Sequence, residues 1–338
     1  MIMQITVYTE ASAFETLSQE WDDLLERAVT PPFFMRYIYQ RTWWQYLGND
    51  DLVLIAIRNE TGQLVGLAPL YGSANAAGQR ELSFVGCVDI SDYLDLLVDR
   101  DYVEPVHQAL LDCLANPGGP AWDKLYLCSL PQYSITHTRL AEAARARGWQ
   151  VAVTEQDVCP VITLPASWDD YLAGIDKKQR HEIRRKIRKI EREARVRWYA
   201  INSEEGLAEA IEKFIDLHQK STRDKEDFWS VELIQFFEAV AVELARAGWF
   251  RLYFIEVDGV EAAAMLCFDY DNEFLLYNSG YDPEQFAHLS PGNVLTSYTI
   301  QDAIRLGRRR YDFLRGDEVY KFRFGAEAEP VYDLSISR

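Results

Sequence analysis

No two cysteines in this chain stand at a metal-binding or redox spacing. The five (Cys87, Cys113, Cys128, Cys159, Cys267) are scattered and odd in number, so neither a zinc site nor a disulfide framework is expected. The five histidines form no HxxxH or HExxH pair, which argues against a metal enzyme. No apolar run approaches the roughly 20 residues of a membrane-spanning helix. The opening MIMQITVYTE lacks the basic-then-apolar pattern of a signal peptide. Positive charge is scarce as well: 35 Lys and Arg stand against 53 Asp and Glu, a formal net charge of −18. Such an acidic surface disfavours general adhesion to DNA or RNA. The expectation is a soluble, cytoplasmic, metal-free protein with no membrane span.

What is present is ample core material. The 338 residues are 48% hydrophobic and 13% aromatic, and that length fits two domains. The scarcity of positive charge has one exception. Residues 177–197 read KKQRHEIRRKIRKIEREARVR, with eleven Lys or Arg against three Glu. The segment holds no Pro or Gly and few β-branched residues, so it should be helical. Ile183, Ile187, Ile190 and Ala194 make a narrow apolar stripe. Arg180, Arg184, Arg188 and Arg192 form an i, i+4 row beside it. A cationic island in an acidic chain points to a local polyanion partner; a solvated helix face is the plainer alternative.

The two halves repeat one order of elements. The first half reads as a strand (4–9), helices (13–28 and 36–46), a hairpin (52–58 with 64–71), a strand (81–85), a helix (103–114), a strand (124–128), a helix (135–147) and closing strands (150–153, 158–164). The second reads as a strand (196–201), helices (204–220 and 231–247), a hairpin (250–257 with 261–270), then strands and a helix at 273–279, 291–306, 310–314 and 331–336. Turn residues such as Thr61-Gly62 and Asp258-Gly259 mark the hairpins. The expected architecture is two similar α/β domains, 1–165 and 166–338, joined near 165–173. One large mixed sheet is the alternative.

Three segments carry unusual chemistry. Strand 273–279 runs through GYDPEQFAHLSPGNVL into a helix, with Ser290 as N-cap, Pro291 at N1, and Gly292 and Asn293 leaving the first amides accessible. Free amides at a helix start attract anions. The corresponding place in the first half, VGCVDISDYLDLLVDRDYVEP, is rich in carboxylates and would repel phosphate. A phosphate-bearing ligand is therefore expected in the second half, and a hydroxylated or cationic group near Asp92 and Tyr93. The third segment, RGDEVYKFRFG at 315–325, gathers Asp317, Glu318, Tyr320 and Lys321 into one short loop after a strand, where α/β active sites often lie. Acyl transfer needs a base, an oxyanion donor and a proton for the leaving group, and these side chains can supply them.

The run from DKKQRHEIRRKIRKIERE through SPGNVL to YDFLRGDEVYKFRFG resembles the CelD-like acyltransferases of the GNAT superfamily, relatives of the Fem peptidyltransferases. The resemblance covers about 176–325; the first half matches in element order and in SDYLDLL (91–97). It implies tandem acyl-CoA N-acyltransferase folds, mixed central sheets flanked by helices, with the donor site in the second. The thioester would lie between the strands at 273–279 and 310–314. The donor's pyrophosphate would sit at Ser290, Gly292 and Asn293, with Arg180, Arg184 and Arg188 assisting. The family's Gln/Arg-x-x-Gly-x-Gly/Ala loop reads His288-Leu289-Ser290-Pro291-Gly292-Asn293 here, and Pro291 lacks an N–H.

The same resemblance assigns roles. Lys321 falls at the reaction centre, Tyr320 is the acid for the thiolate and Asp317 the base. His218 and Arg223 border the acceptor, with Tyr277 and Tyr281 lining its cleft. The expected donor is acetyl-CoA or another acyl-CoA. The acceptor is an anionic small molecule: a sugar, sugar nucleotide or envelope precursor with an amine or hydroxyl. Aminoacyl-tRNA, the donor of the Fem branch, is the alternative, and a non-catalytic module binding a nucleotide or polysaccharide precursor is a third reading.

Overall fold

The computed structural model describes residues 2–74, 78–87, 90–222 and 228–338. The chain forms two compact units: Met1–Asp157 with Glu329–Arg338, and Val158–Ala328.

The first unit begins with β1 (Gln4–Tyr8), α1 (Ser12–Arg27), α2 (Tyr37–Leu47), β2 (Asp51–Arg58), β3 (Leu64–Ala74), β4 (Arg80–Phe84), β5 (Leu97–Val98), α3 (Val103–Ala115), β6 (Lys124–Pro131) and α4 (Ala141–Ala146). In α1, Phe14, Leu17, Trp21, Leu24 and Leu25 recur at helical spacing and are buried. The β2–β3 hairpin closes on Asn59, whose Oδ1 accepts the amides of Thr61 and Gln63 at 3.0 Å each. Gly62 supplies the positive φ of 83° that this turn requires. Strand β7 (Gln150–Thr163) carries the chain across the boundary. It is one strand where the sequence suggested two.

The second unit contains α5 (Trp168–Gly174), α6 (Lys177–Glu193), β8 (Val196–Ile201), α7 (Leu207–Ser221), α8 (Val231–Arg246), β9 (Phe250–Val257), β10 (Val260–Tyr270), β11 (Glu273–Tyr281), α9 (Pro283–Phe286), α10 (Pro291–Arg305), β12 (Arg310–Asp312) and α11 (Val319–Arg323). Its strands run in the order β7-β12-β11-β10-β9-β8. The β11–β12 pair is parallel and its neighbours are antiparallel, so the sheet is mixed and flanked by helices. The core gathers Tyr253, Phe274, Leu276, Val294, Ile300, Tyr311 and Phe313. The last strand, β13 (Glu327–Ser337), pairs antiparallel with β6 in the first unit.

Two expectations need correcting. Cys87 and Cys128 are joined by a disulfide, with an S–S distance of 1.95 Å. Their sequence separation of 41 hid the pairing. Strands β4 and β6 are parallel neighbours, with Ser83 opposite Tyr126, and this brings the two cysteines side by side. The other correction concerns 315–325, which is not one loop: residues 319–323 form the helical turn α11.

Candidate functional site

The site is built where two parallel strands part. β11 and β12 pair only through Glu273, Phe274 and Leu275 with Arg310, Tyr311 and Asp312. β12 then ends, while β11 runs on to Tyr281. Against β10, β11 carries a bulge: Leu266 faces Asn278, but Cys267 faces Leu276. A bulge bends its strand and re-aims the residues beyond it. Beyond it lie Ser279, Gly280 and Tyr281. They line a cavity of about 300 Å³ together with Met265, Ala287, the Ser290–Asn293 turn, Thr296 and Tyr320.

Helix α10 starts at the wall of this cavity. Ser290 takes its N-cap position with φ 56° and ψ 48°, and its side chain makes no capping bond, contrary to the simple N-cap expected. Left-handed backbone is uncommon for serine; here it turns the chain sharply into the helix. The Val294 amide bonds Ser290 O at 3.2 Å. The Gly292 and Asn293 amides precede that first helical bond, and Pro291 has none to offer. A Cβ on Gly292 would meet open space. Most of α10 is buried, so its positive end is weakly screened by solvent. Inside the fold, polar pairs hold it in place: Tyr253 donates to Asp302 at 2.7 Å, and Thr299 meets the Tyr311 hydroxyl at 2.8 Å.

α11 forms the opposite wall. Tyr320 is half-buried, packed edge-on to Phe313, and among the described residues its hydroxyl has no hydrogen-bond partner. Burial, with Glu318 nearby, pushes its pKa above the ordinary phenol range, so the group stays a proton donor. Lys321, next in sequence, is buried and faces the preceding loop. Its ammonium donates to the carbonyls of Leu314 at 3.2 Å, Arg315 at 2.9 Å and Gly316 at 3.1 Å, with Glu318 at 2.9 Å. Three N–H groups serving four acceptors leave none in reserve. The loop it clamps has Leu314 at φ 54° and Gly316 at φ 118°. Asp317 is exposed on this loop.

The structure thus brings Ser290, Gly292, Asn293, Tyr281 and Tyr320 together, with Asp317 exposed on the loop that leads to Tyr320, and places the remaining expected residues elsewhere. His218 is buried on α7: Trp229 Nε1 donates to its Nδ1 at 3.0 Å, and its Nε2 lies 2.7 Å from Asn278 Oδ1. It secures the bulged strand from behind. Gly280 permits this, since a Cβ there would stand 2.3 Å from the His218 amide nitrogen. Tyr277 packs on Phe268 and Phe237. Arg180 bonds the carbonyls of Leu172 and Ala173 at the end of α5. Arg188 Nε bonds Arg184 O, and Arg184 is exposed. Asp92 and Tyr93 are buried in the first unit, and Arg223 lies outside the described residues. Sequence reasoning missed Met265, Ser279, Gly280 and Thr296. Gly280, closing an aromatic strand, was the one visible signal.

Among the described residues no cluster of three or more His, Cys, Asp or Glu could hold a metal ion, and no helix is long and apolar enough to cross a membrane. Comparison with known proteins now adds to the geometry. No curated protein matches the chain in sequence. Residues 177–322 match the family model described as an acetyltransferase (GNAT) domain. Among solved structures the chain is similar to FemX at a TM-score of 0.66 and 12% identity, over 98% of this chain and 97% of that one. It is also similar to L-PGS from Bacillus licheniformis at 0.57 and 11%, over 95% and 91%. At such identities the likeness is one of fold. The second unit therefore has a GNAT-like fold over the residues that match the family model, a mixed sheet in which the free end of β11 and a buried helix start border the cavity.

Proposed function

We propose that the second unit transfers an acyl group from an acyl-CoA, acetyl-CoA in the simplest case, to an amine or hydroxyl. One observation carries this reading: a cavity beside the free end of β11 is lined by Gly292 and Asn293, whose amides precede the first helical bond of a buried helix. Those amides and the helix dipole suit the donor's pyrophosphate. The thioester would lie along β11, with its carbonyl toward the gap beyond β12.

In the transfer step the acceptor nitrogen or oxygen bonds to the thioester carbon, and the C–S bond breaks as the tetrahedral intermediate collapses. Tyr320 gives its proton to the leaving thiolate, and Asp317, on the clamped loop, takes the acceptor's proton. Lys321 acts by holding that loop and the turn that carries Tyr320. Fixed geometry of this kind is how positioning lowers a barrier. A sugar, sugar nucleotide or envelope precursor of a cellulose-biosynthesis (CelD) type pathway is the proposed acceptor class, and a CoA donor would place the reaction in the cytoplasm. The test is release of free thiol from acetyl-CoA with a panel of amino sugars and sugar nucleotides. Turnover with one of them supports the reading; no turnover and no CoA binding would end it.

A second reading has its own observation. Pro291 removes one amide from the turn that would grip a pyrophosphate. FemX, similar in fold, belongs to the branch in which the sequence resemblance implies an aminoacyl-tRNA donor. Transfer of a labelled amino acid from charged tRNA, with no thiol release from acetyl-CoA, would favour that donor.

A further inference from the structure

The basic helix α6 has two flanks, divided by its buried stripe of Ile183 and Ile190. Helical geometry puts Arg180, Arg184, Arg188 and Glu191 on one flank and Glu182, Lys186, Lys189 and Glu193 on the other. The first flank turns toward the middle of α10, where Tyr298 bonds Glu191 at 3.1 Å and stacks on Trp198 of β8. The second flank turns toward the start of α10. There the Lys189 ammonium bonds the His288 carbonyl at 2.6 Å, two residues before Ser290. Glu193 lies 3.8 Å from Lys189 but is engaged by Arg192 at 2.6 Å. Lys186, one turn before Lys189, makes no hydrogen bond among the described residues. It is half-buried, and desolvation lowers its pKa, with Glu182 opposing the shift and the charges of Arg185 and Arg323 adding to it. The carboxylate nearest in charge to it, Glu182, is engaged by Arg185 at 2.9 Å, so Lys186 has only a shared counter-ion.

We propose that Lys189 and Lys186 form the cationic wall of the donor's phosphate site and replace the grip lost at Pro291. The proposal rests on the acyl-CoA reading for the identity of the ligand. It deepens that reading by assigning the phosphate contacts to the lysine flank of α6, not to the arginine row. The bound species is a diphosphate, shared between the Gly292 and Asn293 amides and the two ammonium groups. Lys189 keeps its place through His288 O, so the cation is positioned before the ligand arrives.

The experiment titrates CoA, pantetheine and inorganic pyrophosphate into the full-length protein and three variants. These are Lys189→Ala, Lys186→Ala/Lys189→Ala, and Lys177→Ala as an equal charge change about 18 Å along the same helix. Lys189→Ala should weaken CoA and pyrophosphate by about tenfold, and the double variant further, as for lost charged hydrogen bonds. Pantetheine, which lacks phosphate, should bind all forms alike, and Lys177→Ala should match wild type. Lys189→Arg should recover most of the loss. Unchanged CoA affinity in the double variant overturns the proposal, and so does an equal loss in Lys177→Ala. If wild type binds pyrophosphate but not CoA, the acyl-CoA reading fails on its own. The pyrophosphate titrations of the variants then decide the lysine wall. If wild type binds neither, both fall.

Discussion

Tyr320 and Lys321 are adjacent in sequence, yet one faces the cavity and the other the loop behind it. Tyr320→Phe keeps the ring against Phe313 and removes only the proton. It should lower kcat by about a hundredfold, the lower range for a general acid, and leave donor affinity within a factor of two. Because burial and Glu318 raise this phenol's pKa, wild-type activity should not fall as pH passes the ordinary phenol value near 10; a drop there would contradict the assignment. Lys321→Met removes the donor to three carbonyls. Charged hydrogen bonds of this sort contribute roughly 1.5–3 kcal/mol each, less in sum because they share one group. A loss of about 3 kcal/mol in urea unfolding is expected, with activity falling through the displaced loop. Unchanged stability with activity abolished would instead return Lys321 to the reaction centre.

At the scale of elements, much of the second unit was legible. Period-two strands and amphipathic helices fall where alternation and turn residues place them, and β8 and β9 match residue for residue. What the sequence hid depends on tertiary placement. The i, i+4 arginines of α6 catch the eye, but only packing against α10 reveals that the lysine flank meets the helix start. The disulfide needed the parallel β4–β6 pairing. α11 is a single turn, too short for periodicity to register. The contact of α7 with β11 is likewise invisible to pattern, because it depends on the missing side chain of Gly280. Gly280→Val should therefore push the strand from His218. A cost of about 2–3 kcal/mol follows from overpacking, with a matching fall in midpoint on urea unfolding. A variant as stable as wild type would mean that α7 moves freely.

At the scale of the whole molecule, the two units carry different kinds of buried polar group. Behind its cavity the second unit has satisfied buried pairs, Tyr253 with Asp302 and Thr299 with Tyr311. The first holds two buried titratable groups whose shifts oppose each other. Burial lowers His107 to about 4, and among the described residues neither ring nitrogen has a hydrogen-bond partner. Burial raises Asp95 to about 6, although Thr136 bonds it at 2.5 Å. The unfolded histidine binds its proton near 6.5, so stability from His107 is present at neutral pH and lost as pH falls from 6.5 to about 4. Asp95 acts oppositely, binding its proton more tightly when folded, so stability is lost as pH rises from about 4 to 6. The two nearly cancel in that window. His107→Leu removes one arm: stability should then rise on acidification from pH 6 to 4, by up to about 3 kcal/mol. Urea unfolding at pH 4.5 and 7 checks this, and parallel behaviour of variant and wild type would refute it.

The central claim is that the start of α10 holds an anionic donor. Gly292→Asp tests it most directly, because a Cβ there meets open space and a carboxylate near a helix start favours the helix itself. Calorimetric titration of CoA into wild type and this variant should show binding to wild type. The variant should lose at least tenfold in affinity, with a melting temperature equal to or above that of wild type. Equal affinity in the two proteins, or no CoA binding to wild type, would contradict the account.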